Sequence, residues 1–323
     1  MSVKTGDLNG PIRIGISACL VGENVRWNGG NSHDRYLTDT LGVYLEYVPV
    51  CPEVECGLGV PRETLRLVGD PGSPRLVTTK TAKDITEKMQ AWAGKRVREL
   101  EAEDLCGFIF KKNSPSSGLH KVKVYNKKGG FLKTGTGIFA HAFVNHFPLI
   151  PVEEEGRLHD PKLRENFIES IFTLQRWRET LRHQKSPGAL VDFHTRHKLL
   201  ILSHSPAHYR TMGKLVANGK QMQIDELFLQ YEKLLLASLQ LKTTTKKHIN
   251  VLQHMMGYFK KQLDGDEKKE LLEVIDDYRE GHCPILVPMT LINHYIRKYG
   301  QSYLSRQVYL KPHPVELKLR AFP

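Results

Sequence analysis

Arg13-Ile14-Gly15-Ile16-Ser17-Ala18-Cys19-Leu20 is an apolar, strand-like run that stops at a serine and puts a cysteine at its exit. Two further runs do the same. Tyr44–Val50 leads into Cys51-Pro52-Glu53-Val54-Glu55-Cys56, and Gly107–Lys111 leads into Asn113-Ser114-Pro115-Ser116-Ser117-Gly118. A fourth strand-like run is Lys121–Tyr125. Between them, Asp84–Asp104 carries Ile85, Met89, Trp92, Val97 and Leu100 at close to helical spacing, with Asp84 or Thr86 able to cap its start. Strands alternating with helices predict an α/β domain with a mainly parallel sheet. In such sheets ligands gather beyond the carboxyl ends of the strands, so the three loops together form the candidate site. Gly135-Thr136-Gly137 introduces a helix over Ile138–Phe147 and serves either as an anion-cradling turn or as a plain one.

The α/β pattern ends near residue 155. Pro151–Pro161 is polar, charged and bracketed by prolines, the composition of a domain junction. Beyond it, Phe167, Ile168, Ile171, Phe172 and Leu174 form one apolar stripe, and Leu227, Tyr231, Leu234, Leu235 and Leu239 form another. A further helix is expected over Lys268–Gly281. With no hairpin signal and no fixed-period repeat, residues 160–323 predict an all-α helical domain after the α/β domain of residues 1–155.

Composition narrows the class. The 323 residues are 40% hydrophobic and 25% charged, as in ordinary globular proteins. The first ten residues are polar, and no stretch approaches the ~20 apolar residues of a membrane helix. A cytoplasmic protein with no membrane contact is expected. Five cysteines, an odd number, argue for reduced thiols over a disulfide framework. Asp160–Pro323 carries 26 basic and 17 acidic residues, a net of +9 within the chain's total of +12. Concentrated positive charge suits a polyanion such as RNA.

The most distinctive part of the helical region is Phe193-His194-Thr195-Arg196-His197-Lys198, followed after a short apolar core by His204-Ser205-Pro206-Ala207-His208-Tyr209-Arg210. The spacings His194/His197 and His204/His208 are those of helical metal ligands, but the segment contains no acidic residue or cysteine. Its composition favours phosphate contact by Arg196, Lys198 and Arg210 with a base stacked on Tyr209. A merely solvated helix face is the plainer alternative.

The segments Ile14-Gly15-Ile16-Ser17-Ala18-Cys19-Leu20-Val21-Gly22, Val25-Arg26-Trp27-Asn28-Gly29-Gly30, Pro49-Val50-Cys51-Pro52-Glu53, and Gly107-Phe108-Ile109 with Ser114-Pro115-Ser116 together resemble the thiouracil desulfidase family over about residues 10–150. The remainder resembles the helical domain that accompanies it in bacterial tRNA 4-thiouridine desulfidases. The resemblance implies a [4Fe-4S] cluster held by three cysteines, one iron left open for the sulfur of a thiocarbonyl, and tRNA as substrate. It also implies Glu53 as general acid/base, with Ser114 or Ser116 orienting water or substrate. This chain departs from the family at one place: the third loop usually reads Ser-Pro-Ser-Cys-Gly, and here Ser117 stands in the cysteine's position. The expected ligands are therefore Cys19, Cys51 and a compensating Cys56, with Cys106 as the fallback. Desulfidation of free thiolated pyrimidines and a non-enzymatic RNA-binding or redox-sensing role are the alternatives.

Overall fold

A computed structural model describes residues 8, 10–126 and 129–321. Gly10–Asp160 forms one compact unit and Pro161–Pro323 another.

In the first unit, β1 (Ile12–Ser17), β2 (Leu45–Val50), β5 (Gly107–Phe110) and β8 (Val152–Glu154) make a sheet of order β2-β1-β5-β8, parallel throughout. Strands covered on both faces must be apolar along their whole length, and all four residues of β5 are buried. Gly15 of β1 is glycine because the Phe108 ring of β5 occupies the space a Cβ would need. Phe108 stacks on Phe110 with centroids 4.2 Å apart, and both meet Phe139 and Phe143 edge-on or tilted. Those two rings come from α3 (Ile138–His146), which covers this face together with α2 (Thr86–Glu99).

A second sheet joins β3 (Leu65–Val68), β4 (Arg75–Thr78), β6 (Val122–Tyr125) and β7 (Phe131–Gly135) in the order β4-β3-β6-β7. Only β3 and β6 pair in parallel. The acidic segment that resembles a linker is partly sheet. Glu154 Oε1 accepts from Leu119 N–H and His120 N–H at 2.8 and 3.1 Å, and Glu155 accepts from Lys112 N–H at 2.7 Å and pairs with Lys111. These carboxylates anchor the loop that leaves β5.

The second unit holds α4 (Pro161–His183), α5 (Pro187–His204), α6 (Pro206–Asn218), α7 (Ile224–Leu239), α8 (Thr245–Gly257), α9 (Gly265–Glu280), α10 (Leu286–Lys298) and the single turn α11 (Ser302–Ser305). Among the described residues no helix is long and apolar enough to cross a membrane. Ser186 and Ser205 each accept a backbone N–H as N-cap, and Gly281 closes α9 at φ 80°.

All four of the segment's histidines have structural partners, His204 through its Nδ1 at 2.8 Å from Leu241 O. His194 Nδ1 lies 3.1 Å from Tyr231 Oη, His197 stacks on Phe193 at 3.8 Å while its Nδ1 donates to Phe193 O, and His208 Nδ1 lies 2.9 Å from Ser205 Oγ. Burial pushes the pKa of His194 down to about 4 and that of His248, paired with Tyr309 Oη, down to about 3. The unfolded chain takes up protons near pH 6.5 that these folded rings refuse, so their contribution to stability is complete above that pH. It is lost progressively as the pH falls toward 4 and then 3. Thermal unfolding at pH 5 is expected at a lower midpoint than at pH 7, and His194→Gln is expected to reduce that difference.

Candidate active site

The three strand-exit loops converge because β2, β1 and β5 are neighbours running the same way. Ser17 Oγ accepts from Lys111 N–H at 2.9 Å, tying the exits of β1 and β5 together. Cys19 follows on a turn over Ala18–Val21. Cys51 is the N-cap of α1 (Pro52–Glu55), a single turn that Pro52 can begin because the first helical N–H needs no partner. Glu53 is its second residue.

These loops bound a cavity of about 380 Å³ whose wall includes Cys19, Cys51, Glu53, Lys111, Ser114 and Ser117. Trp27, 47% exposed, and Arg62 also line it. Glu53 is the hub of the polar network. Its Oε1 accepts from Ser116 Oγ, and its Oε2 lies 3.7 Å from the Arg62 guanidinium and 3.6 Å from Cys51 Sγ. Ser116 Oγ in turn lies 2.9 Å from Ser114 Oγ. Ser116 is fully buried behind the wall, while Ser114 lines the cavity. The arrangement is a continuous hydroxyl–hydroxyl–carboxylate chain reaching the cavity. Burial pushes the thiols up, Cys19 to about 11 with Lys111 opposing and Cys51 to about 12 with the Glu53 charge adding to the effect. Without a bound cation both are neutral thiols at pH 7, poor nucleophiles and strong latent metal donors. Alkylation of Cys19 and Cys51 in metal-free, reduced protein is expected to be slow at pH 8.5 and to accelerate as the pH rises through 11, as followed by mass spectrometry.

Cys56 is not on the cavity wall. It is the C-cap of α1, its Sγ donates to Glu53 O at 3.4 Å, and it packs with Leu67, Leu76, Ile85 and Met89 away from the cavity wall. Cys106 is also absent from that wall: it is fully buried just before β5, at the strand end opposite the site, and its N–H donates to Arg13 O. The third loop puts Ser117 on the wall instead. Ser117 is 3% exposed, its N–H donates to Ser114 Oγ at 3.1 Å, and its hydroxyl makes no hydrogen bond among the described residues.

The turn before α3 is a packing device. Gly137 N–H donates to Gly118 O at 2.7 Å, and Phe139 N–H donates to Ser116 O at 2.9 Å, so the first turn of α3 clasps the serine loop.

In the helical unit, the four residues expected to contact RNA have these surroundings. Arg196 pairs with Asp192 at 2.8 Å, Lys198 Nζ lies 4.8 Å above the Tyr303 ring, Tyr209 packs against the core, and Arg210 is exposed. Trp27 and Lys111 are cavity-lining residues that their sequence context left without a role. The one signal available was their closeness to the loops.

A family model described as 2-thiouracil desulfurase matches residues 14–155, and one described as Protein of unknown function (DUF1722) matches residues 198–314. The solved structure of a [4Fe-4S]-dependent thiouracil desulfidase, TudS, aligns with a TM-score of 0.38 at 28% identity, covering 46% of this chain and 94% of that one. Uncharacterized protein YbgA of Escherichia coli (strain K12) is 37% identical over 151 residues, which are 46% of this chain and 89% of YbgA. At that identity and coverage, the chain belongs to the YbgA family.

Proposed function

We propose that the chain is a desulfidase that replaces the sulfur of a thiolated pyrimidine with oxygen from water, and that its substrate is 4-thiouridine in tRNA. The observation that carries the reading is the meeting of Cys19, Cys51 and Glu53 in one cavity within the segment matched to 2-thiouracil desulfurase. The reaction is a hydrolysis: a C–O bond forms, the C–S bond breaks, sulfur leaves as sulfide, and no electron is gained or lost. It requires a proton to leave the attacking water and one to reach the departing sulfur. Glu53, lining the cavity and hydrogen-bonded through Ser116 to Ser114, is placed to accept the first of these. Arg62 and Lys111 supply positive charge to the same wall.

The donors fit a [4Fe-4S] cluster held by two thiolates and an oxygen. Cys19, Cys51 and Ser117 stand on three different loops of one cavity, and the Ser117 hydroxyl has no other partner among the described residues. Thiolates are the preferred donors of such clusters. When bound, the cluster supplies a Lewis-acidic iron for the sulfur. Anaerobic reconstitution followed by iron and labile-sulfide analysis tests the set. Cys19→Ser and Cys51→Ser are expected to lose the cluster, Cys56→Ser to keep it, and Ser117→Cys to bind it more tightly. A cluster lost in Cys56→Ser and kept in Ser117→Ala would return the third position to Cys56.

Trp27 at the cavity mouth offers a stacking face for the pyrimidine. Trp27→Ala is expected to weaken substrate binding by about 1–3 kcal/mol, read as a raised KM.

tRNA as substrate rests on the +9 balance of residues 160–323 and on cations such as Arg210 that face solvent. Sulfide release from thiolated tRNA and from free 4-thiouracil, measured side by side, is the test. Faster turnover of tRNA, lost on raising salt, supports it. A cavity of about 380 Å³ is at the small end of ligand pockets and also suits a single free base. Equal turnover of the free base would favour that second reading, and tRNA binding without any sulfide release would overturn the enzymatic one.

A further inference from the structure

The helical unit contains a second cluster of potential ligands that the desulfidase reading does not use. Glu165 and Glu169 of α4, His204 at the end of α5, and His313 near the carboxyl terminus come together in its interior. One ligand atom each from Glu165, Glu169 and His313 lie within 4.8 Å of one another. His204 Nε2 lies outside that group but 3.3 Å from Glu169 Oε2.

Three of these atoms are buried without a hydrogen-bond partner: Glu169 Oε2, His204 Nε2 and His313 Nε2. Glu169 and His204 have side chains only 1% and 0% exposed, out of contact with bulk solvent. An unmatched buried polar atom is destabilising, and three in one place call for a common partner. The histidines are prepared for it. His204 Nδ1 donates to Leu241 O at 2.8 Å and His313 Nδ1 to Pro314 O at 3.2 Å. Donation from Nδ1 to a carbonyl holds a neutral imidazole in the tautomer whose Nε2 carries the lone pair, the usual support of a metal-ligating histidine.

Arg320 contacts both carboxylates through one oxygen of each. It donates to Oε1 of Glu165 and Oε1 of Glu169, with its remaining nitrogen directed at Tyr309 O. Two carboxylates there share one guanidinium. The 3.3 Å approach of His204 to Glu169 is long and poorly aligned for a charge-assisted hydrogen bond. It matches the edge of a tetrahedron, since two donors each about 2.0–2.1 Å from zinc lie about 3.3 Å apart.

We propose that Glu165, Glu169 and His313, with His204 standing beside Glu169, form a site for a divalent first-row transition metal of the zinc class, pinning the carboxyl-terminal segment to α4 and α5. Two imidazoles and two carboxylates are a donor set suited to zinc. Glu165, with 16% of its side chain exposed, marks the open side from which an ion enters.

The test uses the full chain carrying Cys19→Ser and Cys51→Ser, so that the cavity thiols cannot contribute. After treatment with chelator, zinc is added, excess is removed, and retained metal is measured by elemental analysis. One zinc per chain is expected, together with a rise in the thermal midpoint. Cobalt in its place is expected to give visible d–d bands without near-ultraviolet thiolate charge transfer. Glu165→Gln, which keeps an acceptor for Arg320, and His313→Ala are each expected to weaken zinc binding at least as much as the roughly 10–100-fold that losing an outer-sphere partner costs. His208→Ala, on the same segment but outside the cluster, is expected to leave binding unchanged. No retained zinc, equal zinc in Glu165→Gln and His313→Ala, or thiolate bands from cobalt would each overturn the proposal. None of these outcomes bears on the desulfidase reading, which stands or falls on iron and sulfide at the other unit.

Discussion

Glu53→Gln is expected to lower the rate of sulfide release by about 10²–10⁴, the usual contribution of a positioned acid/base group, while iron and labile sulfide remain at parental levels. The amide keeps the volume and an acceptor for Ser116, so the loop has no steric reason to move. It removes the one group in the Ser114–Ser116–Glu53 chain that can take up a proton, and it leaves Arg62 facing a neutral side chain. Single-turnover release of sulfide from thiolated substrate, compared with binding of the same substrate, separates the two effects. Unchanged release would remove Glu53 from the mechanism and shift attention to Ser114. Ser116→Ala is expected to act in the same direction and more weakly, because it deletes a positioning contact behind the wall.

Gly137→Ala is expected to disable the site from outside it. The backbone there, φ −62° and ψ 147°, suits any residue, so the demand for glycine is purely steric. An alanine Cβ would lie 2.7 Å from Ser117 N and in harder overlap with the Ser116 carbonyl. The serine loop is held by backbone hydrogen bonds to this turn and cannot stay in place. Overpacking of this kind costs about 1–3 kcal/mol, and displacing reacting groups by about 1 Å costs on the order of 10²-fold in rate. A lowered thermal midpoint together with lost turnover is the expected result. Gly94→Ala, in α2 with open space around it, is the control and is expected to be neutral or stabilising. Parental activity in Gly137→Ala would show that the turn does not set the loop.

Strands β1, β2, β5 and β6 and helices α2, α3, α4, α7 and α9 were legible from their apolar residues. The second sheet was not. Its β7 is almost wholly exposed and its β3 and β4 are four residues each, too short for periodicity to speak. Strand β8 escaped notice because it is acidic, and its carboxylates fold inward only because the loop after β5 offers them N–H groups and Lys111. The cysteine loops were legible as strand exits, but which thiols share a cavity was not. Cys51 and Cys56 bracket one turn of helix, and that turn points one toward the cavity and the other into an apolar cluster.

Local pattern alone therefore determined the α/β-then-helical order and the three loops at the strand ends, because apolar periodicity and strand-exit chemistry are properties of contiguous residues. Only the tertiary structure decided that Ser117 and not Cys56 faces the cavity, and that two glutamates of one helix meet a histidine more than a hundred residues further on. Such meetings depend on how helices and loops pack across the chain, and spacing along the sequence does not encode them.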